Sequence, residues 1–374
     1  MKILIIPPLT RKITSRVTAA RPRIIFDLVS GLVKKGHKVS VLGTGNSIIP
    51  GVKIIPVIPK GFYETQRAFE NKFYAHTAFL AKLAKILEKI AKDYDIIHNH
   101  SYPECIPLLV EKGIEKPILT TIHNLTMPKL VDETLSYFKK SYFICISNAQ
   151  KKLLKKTKVY KVIYHGIDTE LYKFHKKKED YLLWIGRLSK AKDKRGRFLD
   201  PKGIRWAIKL AKETDSKLIL AGNVEDPKFF KKDIKPYLNK KIKWITPVSS
   251  KQPLSKRQVA KLMQKAKAFL MTVNFPESFG LVIAESMSCG TPVIGFDQGG
   301  AVSELIINRK TGFIVKPKKG VEGLKKALEK IDQINPEDCR AHVEKNFSFK
   351  KMIDNYEKVY KKLFQKSDNQ KREN

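Results

Sequence analysis

Residues 275–297 read FPESFGLVIAESMSCGTPVIGFD, and this stretch decides how the rest of the chain is read. Glu277 and Glu285 stand eight positions apart with Phe279-Gly280 between them. The apolar spacing predicts a helix running to Cys289-Gly290, followed by the short apolar strand Pro292-Val293-Ile294. Gly280 opens that helix without a side chain, so backbone N–H groups and the positive end of the helix dipole can meet a phosphate. Glu277 is expected just before the helix and Glu285 about two turns into it. A rise of roughly 1.5 Å per residue then separates the carboxylates by on the order of 10 Å. That distance suits one group on a sugar ring and one on a ribose with a diphosphate between them. It is too wide for the roughly 5 Å carboxylate pair of a retaining glycosidase.

Working outward, strand and helix patterns alternate from end to end. ILII (3–6), VSVL (39–42), DIIH (95–98), ILTTI (118–122) and YFICI (142–146) are short apolar runs typical of strands buried in a parallel sheet. Between them fall an apolar-periodic helix near 22–35, stopped by Gly36-His37, and a long helix near 65–92. The long helix places Phe69, Phe73, Phe79, Leu83, Leu87 and Ile90 near one stripe. The alternation restarts with YLLWIG (181–186), KLILAG (217–222), KIKWI (241–245) and AFLMT (268–272). This predicts an α/β protein of βαβ units and doubly wound sheets. Residues 164–180 show no clear period and read as the connection between two domains, and a last helix is expected from Phe349 to Phe364 with a frayed polar tail over 365–374.

The chain has 374 residues, enough for two domains with separate cores. Its four cysteines, Cys105, Cys145, Cys289 and Cys339, are scattered without metal-ligand spacing, which favours free thiols in a reducing cytosol. The N-terminal apolar run is too short for a signal peptide, and no stretch approaches the roughly 20 apolar residues of a membrane span. The formal charge is +38, with 61 lysines against 13 arginines spread along the whole chain. Arginine is the usual reader of base edges and no compact arginine-aromatic module is present, so nucleic acid is disfavoured as a partner. A solvated lysine surface or peripheral contact with an anionic membrane at the inner face accounts for the charge, with Lys151-Lys152, Lys155-Lys156 and Lys176-Lys177-Lys178 as the candidate patch.

The 275–297 segment resembles the E-x7-E signature of family 4 glycosyltransferases, retaining enzymes of the GT-B fold that use nucleotide-sugar donors. The resemblance implies two Rossmann-like doubly wound parallel-sheet domains with a cleft between them. These would be an acceptor-side domain over 1–165, a nucleotide-sugar-binding domain over 166–345, and a terminal segment over 346–374 whose helix crosses back onto the first domain. It implies that Glu277 contacts hydroxyls of the donor sugar, that Glu285 holds the ribose, and that backbone around Ser278, Phe279, Gly280 and Leu281 meets the distal phosphate. A GR…KG phrase is matched by Gly186-Arg187 and Lys202-Gly203, so Arg187 and Lys202 would neutralise the departing diphosphate. SKAKDKRGRFLDP lengthens the gap between them, leaving Lys190, Lys192 or Arg195 as alternatives. His123, at the end of ILTTI, matches a family histidine near the acceptor and donor sugar, and His98 and His100 end their strand in the same manner on the acceptor side. Ser147-Asn148, His165-Gly166-Ile167-Asp168 and Gly299-Gly300 with Glu304 extend the match.

The resemblance implies no metal and no cofactor. The donor would be a UDP-, GDP- or ADP-sugar, and the acceptor a sugar, lipid or small molecule. Asp93-Tyr94-Asp95 spells a D-x-D motif, but it precedes its strand and so lies at the wrong end for a ligand. One departure stands out: where family members carry Gly-Gly in the first strand–helix loop, this chain has Ala19-Ala20, amid Arg11, Arg16, Arg21 and Arg23. These arginines favour an anionic acceptor. The expected function is transfer of a hexose with retention of configuration, a cytoplasmic activity. A nucleotide-sugar epimerase on the same fold and a non-catalytic sugar-nucleotide or polyanion binder are the alternatives.

Overall fold

A computed structural model describes residues 1–65, 68–101, 111–124, 129–248 and 254–372. The chain divides into two compact units, Met1–Gly166 with Phe349–Asn374, and Ile167–Ser348.

The first unit is a seven-stranded sheet of β1 (Lys2–Ile6), β2 (Lys38–Thr44), β3 (Lys53–Ile58), β4 (Ile96–Asn99), β5 (Ile118–Ile122), β6 (Ser141–Cys145) and β7 (Val159–Val162), in the order β3-β2-β1-β4-β5-β6-β7. Every pairing is parallel. Its strands are rich in Ile, Val and Leu because both faces are covered, and β1 from Ile3 to Ile6 and the whole of β4 are buried. The first helix, Ala20–Lys34, buries Ile24, Ile25, Leu28, Val29 and Leu32 along one stripe and ends before Gly36, whose φ of 83° sets the left-handed stop. The terminal helix, Phe349–Arg372, buries Met352, Ile353, Tyr356, Val359, Tyr360 and Leu363 at helical spacing. It lies against the first helix at Gly31, where a Cβ would fall 2.0 Å from Ile353 Cδ1, and Lys35 of the first helix's C-cap pairs with Asp354 and Glu357, each at 2.7 Å.

The second unit is a six-stranded parallel sheet of β8 (Leu182–Ile185), β9 (Leu218–Ala221), β10 (Ile242–Trp244), β11 (Ala268–Met271), β12 (Val293–Phe296) and β13 (Gly312–Val315), in the order β10-β9-β8-β11-β12-β13. Each unit is therefore doubly wound, and each has one point where the strand order reverses. In the first it lies between β1 and β4, in the second between β8 and β11. Ligands of such sheets sit beyond the carboxyl ends of the strands at that reversal, which directs attention to the segments after β1, β4, β8 and β11.

Several expectations need correction. The long helix predicted near 65–92 is two pieces, Phe62–Thr65 and Lys72–Ile90. Asn71 caps the second by accepting the Tyr74 N–H, so Phe69 lies outside it and Phe73 is exposed. Residues 167–180 are not a free connection. Tyr172 is buried, and Arg340 Nη1 donates to the carbonyls of Thr169 and Tyr172, so the stretch belongs to the second unit. The helix expected to stop at Phe364 continues to Arg372. β3, β7 and β13 were missed: β3 and β7 are flanking strands with partly exposed residues, and β13 is only four residues long.

Candidate active site

In the second unit, the site is assembled at the reversal point from the segments that follow β8 and β11. The turn before the Ile204–Glu213 helix is closed by Asp200, whose carboxylate accepts the N–H groups of Ile204 at 3.0 Å and Arg205 at 2.9 Å. Burial pushes the Asp200 carboxyl upward against the pull of those N–H groups. Gly203 takes φ 71°, and a Cβ there would fall 1.6 Å from the Thr272 carbonyl oxygen. Only glycine lets the turn reach the end of β11. Thr272 Oγ1 donates to the Gly203 carbonyl at 2.7 Å, and Asn274 Nδ2 to the Asp200 carbonyl at 2.6 Å, so the two segments are fastened together.

The fastening brings Lys202 and Glu277 into a hydrogen-bonded ion pair. They are 75 positions apart in sequence. Glu277 is itself held by its backbone carbonyl, which accepts the Ala301 N–H at 2.8 Å. The neighbouring Gly300 is required bare, since a Cβ on it would fall 2.3 Å from the Glu277 nitrogen. The Gly299-Gly300 phrase seen in the sequence thus serves to seat Glu277.

Gly280 is the N-cap of the Leu281–Ser288 helix with φ 88°. The start at Leu281 corrects the expected depth of Glu285, which lies little more than one turn inside the helix. Glu285 is only 2% exposed, and Phe279 is buried edge-on against Phe347 with ring centroids 5.8 Å apart. Phe279 can therefore offer a ligand its backbone and not its ring. The carbonyl end of the helix carries two cations: Lys178 Nζ donates to the Cys289 carbonyl at 2.9 Å, and Arg340 Nη1 to the Ser288 carbonyl at 3.0 Å. Both complement the negative end of the dipole and leave its positive end facing the Lys202–Glu277 pair's segment.

Arg187 follows β8 directly, is mostly exposed, and pairs with Glu225 at 2.8 Å. Nothing local to Arg187 in the chain marks Glu225, 38 positions on, as its partner. The extended 188–201 segment folds as a hairpin, with Lys192 bridged to Phe198 and a turn at Asp193–Gly196. Lys192 lies over the Phe198 ring at 4.6 Å, and the Arg195 N–H donates to Asp193. Of the cations weighed from the sequence, Lys202 is the one beside Glu277.

In the first unit, Ala19 is the N-cap of the first helix and Ala20 its first residue, with no side-chain cap on the exposed N–H groups of the turn and no acid in it. Four histidines run in series beside it. Ring centroids are 3.9 Å apart for His98–His100, 5.1 Å for His100–His123 and 5.2 Å for the stacked His123–His165. His98 requires correction as an acceptor-side residue. It is fully buried, and its Nδ1 and Nε2 are taken by Tyr360 Oη at 2.6 Å and Thr121 Oγ1 at 2.8 Å. It serves to fix the terminal helix. Burial lowers its pKa to about 3. His100 Nδ1 and His123 Nε2 share a hydrogen bond of 2.8 Å, while His100 Nε2 and His123 Nδ1 are buried without one. Burial lowers both far below the ordinary imidazole value, and the nearby Arg21 charge acts in the same direction. They are neutral donor–acceptor groups at pH 7. In the sequence His165 stands only as part of a phrase that extends the family match, and no local signal shows its place in this stack.

Asp95 accepts the Lys2 N–H at 2.7 Å at the amino ends of β1 and β4, opposite the carboxyl ends where ligands of such sheets sit. Lys178 cannot belong to a membrane-facing patch, because it is half-buried with its ammonium group turned onto three oxygen acceptors. Lys176 and Lys156 are paired with Glu337 and Glu133. Among the described residues no helix is long and apolar enough to cross a membrane, and no group of His, Cys, Asp or Glu is arranged to hold a metal ion. Cys145, Cys289 and Cys339 are free and buried, and Cys105 lies outside the described residues.

Sequence comparison matches this geometry to a family. The model of "Glycosyl transferases group 1" matches residues 168–348, and that of "Glycosyltransferase Family 4" matches residues 22–171. The chain belongs to this glycosyltransferase family. The glycosyltransferase is 25% identical over 367 residues to N-acetyl-alpha-D-glucosaminyl L-malate synthase of Bacillus anthracis, covering 89% of this chain and 91% of that one. Its fold is shared with sucrose-phosphate synthase of Thermosynechococcus elongatus, at a TM-score of 0.75 and 17% identity over 97% of this chain and 99% of that one. It is shared also with the Anabaena protein HepE solved with UDP and glucose, at a TM-score of 0.67 and 16% identity, covering 97% and 100% of the two chains. The fold is accordingly that of GT-B glycosyltransferases.

Proposed function

We propose that the glycosyltransferase moves a hexose from a nucleotide diphosphate sugar to an acceptor with retention of anomeric configuration, using neither metal nor cofactor. The observation that carries this reading is the Lys202–Glu277 ion pair set beside the glycine-opened helix that bears Glu285. The pair gives an acid for sugar hydroxyls and a cation for phosphate on two segments fastened to each other. The start of the helix adds N–H groups and a partial positive charge for the diphosphate. Glu285 holds the ribose hydroxyls of a UDP-, GDP- or ADP-sugar.

The chemical demand is stabilisation of the leaving diphosphate, since negative charge grows on it as the sugar carbon becomes cationic. Lys202 and Arg187 supply it, Lys202 exchanging part of its bond to Glu277 for phosphate oxygen, and Arg187 likewise from Glu225. Attack then comes from the face the diphosphate leaves, with the departing oxygen receiving the acceptor proton. No carboxylate is assigned as a covalent nucleophile. The acceptor is taken by residues of the first unit, with His123 orienting hydroxyls as a neutral hydrogen-bonding group. The test is incubation with a donor panel and a panel of sugar and small-molecule acceptors, with the product's anomeric proton read by NMR. A glycoside of the donor's own configuration supports the reading. An inverted product, or an epimer formed from donor alone, contradicts it.

A further inference from the structure

β13 is the edge strand of the second sheet, two strands beyond β11 and so apart from the reversal point that builds the donor site. With the helix that follows it, Gly320–Leu328, it borders a groove of about 430 Å3. Five exposed cations line the groove: Arg309, Lys316, Lys319, Lys326 and Lys330. Arg309 and Lys316 flank the strand, while Lys319, Lys326 and Lys330 come from the helix and its flanks.

These charges are not compensated from within the unit. Glu322 is the one acid in the lining, and Lys325 Nζ donates to its carboxylate at 3.1 Å. Asp332 and Asp338, the next aspartates along the chain, pair with Lys267 at 3.1 Å and Lys310 at 3.9 Å. Lys325, Lys267 and Lys310 all stand outside the lining, as does Glu329. Among the described residues none of the five lining cations is paired with a carboxylate.

The walls are set by backbone and close packing. A Cβ on Gly323 would fall 2.5 Å from Val315 Cγ1, so the bare helix surface lies tight on the strand and the floor is apolar. Arg309 holds φ 66°, a left-handed conformation that costs a long side chain more than it would Gly or Asn. Its N–H donates to the Gly312 carbonyl at 2.7 Å, and Asn308 Oδ1 accepts the Ile314 N–H at 3.0 Å. The Asn308 side chain thereby blunts the sheet edge against an added peptide strand, leaving the cations as the binding groups. Like charges gathered around a concavity with an apolar floor concentrate a positive potential. A phosphate group carries about −1.5 to −2 at pH 7, so the five cations are matched by about two or three of them. The volume equals about fourteen water molecules, room for a small molecule. A membrane presents a plane of headgroups, whereas these cations border a concavity, which favours a soluble ligand.

We propose that this groove binds a soluble ligand carrying a chain of two or more phosphates, at a site separate from the donor site.

The test is calorimetric titration of the full chain with tripolyphosphate and with inorganic phosphate at fixed ionic strength. Arg309→Asn, Lys316→Gln, Lys326→Gln, the donor-site variant Lys202→Met and the control Lys318→Gln are titrated alongside. Asn suits a left-handed residue, so Arg309→Asn removes the charge without backbone cost, and Lys318 is an exposed neighbour outside the lining. The expected result is saturable binding of tripolyphosphate, tighter than that of phosphate. Affinity falls about fivefold or more in each of the three groove variants, and stays within about twofold in Lys318→Gln and Lys202→Met. Absence of saturable binding overturns the proposal. Equal weakening by Lys318→Gln does so too, as it would mark diffuse attraction to a cationic chain. Weakening by Lys202→Met that exceeds that of the groove variants places the anion at the donor site and overturns it as well. Sedimentation with phosphatidylglycerol and phosphatidylcholine vesicles completes the test. Capture on the anionic vesicles without tripolyphosphate binding would overturn the soluble ligand in favour of a membrane surface.

Discussion

At the scale of single residues, groups that look alike in sequence have different surroundings in the fold. Glu277 is paired with Lys202 and partly exposed, whereas Glu285 is buried within its helix. Glu285→Gln is expected to weaken donor affinity about tenfold to a hundredfold, the loss of a charge-assisted hydrogen bond, with turnover of bound donor less affected. A lowered melting temperature with unchanged donor affinity would instead mark Glu285 as a core carboxylate. Arg187→Ala is expected to do the reverse, leaving donor affinity within a few-fold and slowing turnover on the order of a hundredfold, because its charge counts most when the diphosphate departs. Steady-state kinetics with the donor KM determined separately checks both. The histidines repeat the lesson. His98 and His100 are two residues apart, yet one is consumed by Tyr360 and Thr121 while the other bonds His123.

At the scale of elements, the Leu281–Ser288 helix is held from its far end. Lys178 Nζ donates to the carbonyls of Gln264 and Cys289 and to Thr291 Oγ1, at 2.8–3.0 Å. Burial lowers its pKa from 10.5 to about 8. Between these values the unfolded chain carries a proton here that the folded chain does not, so this group makes stability rise with pH from about 8 to 10.5, by up to roughly 3 kcal/mol. Comparing urea midpoints of wild type and Lys178→Met across that range isolates the effect from the other lysines. The slope should be smaller in the variant, and equal slopes would refute it. This element also shows what sequence can convey. The helix, its glycine start and the following strand were all legible, because a 3.6-residue period and a glycine break are local signals. The depth of Glu285 is the one correction, little more than one turn from that start where two were expected. Asn71 breaking the 65–92 helix was missed, since an apolar stripe continues across the cap. Lys178 read as one of three surface lysines, because burial is decided by Gln264, Cys289 and Thr291 far along the chain. The Lys202–Glu277 pairing needed the fold, although both members were picked out by the family phrase.

At the scale of the whole molecule, the chain returns to its first unit only in the terminal helix, and that return is secured by polar bonds inside a buried layer. Tyr356 Oη bonds Thr121 Oγ1 at 3.0 Å, Thr121 bonds His98, and His98 bonds Tyr360 Oη. Tyr360→Phe leaves His98 Nδ1 buried without a partner and is expected to destabilise the fold by about 1–3 kcal/mol. Thermal unfolding measures it, and no change in melting temperature would show that the bond contributes nothing net. The division into two units was legible because the strand–helix alternation visibly restarts at Tyr181. Residues 167–180 read as a connection because they lack periodicity, yet they are packed through Tyr172 and through the hydrogen bonds of Lys178.

The proposed function depends on the Lys202–Glu277 pair and its neighbouring helix gripping an activated sugar. Calorimetric titration of UDP-, GDP- and ADP-glucose into the wild type and a Lys202→Met variant tests it most directly. One donor is expected to bind the wild type at a single site, with Lys202→Met weakening it at least tenfold while circular dichroism stays the same. Binding that is indifferent to Lys202, or no heat from any of these donors, would contradict it.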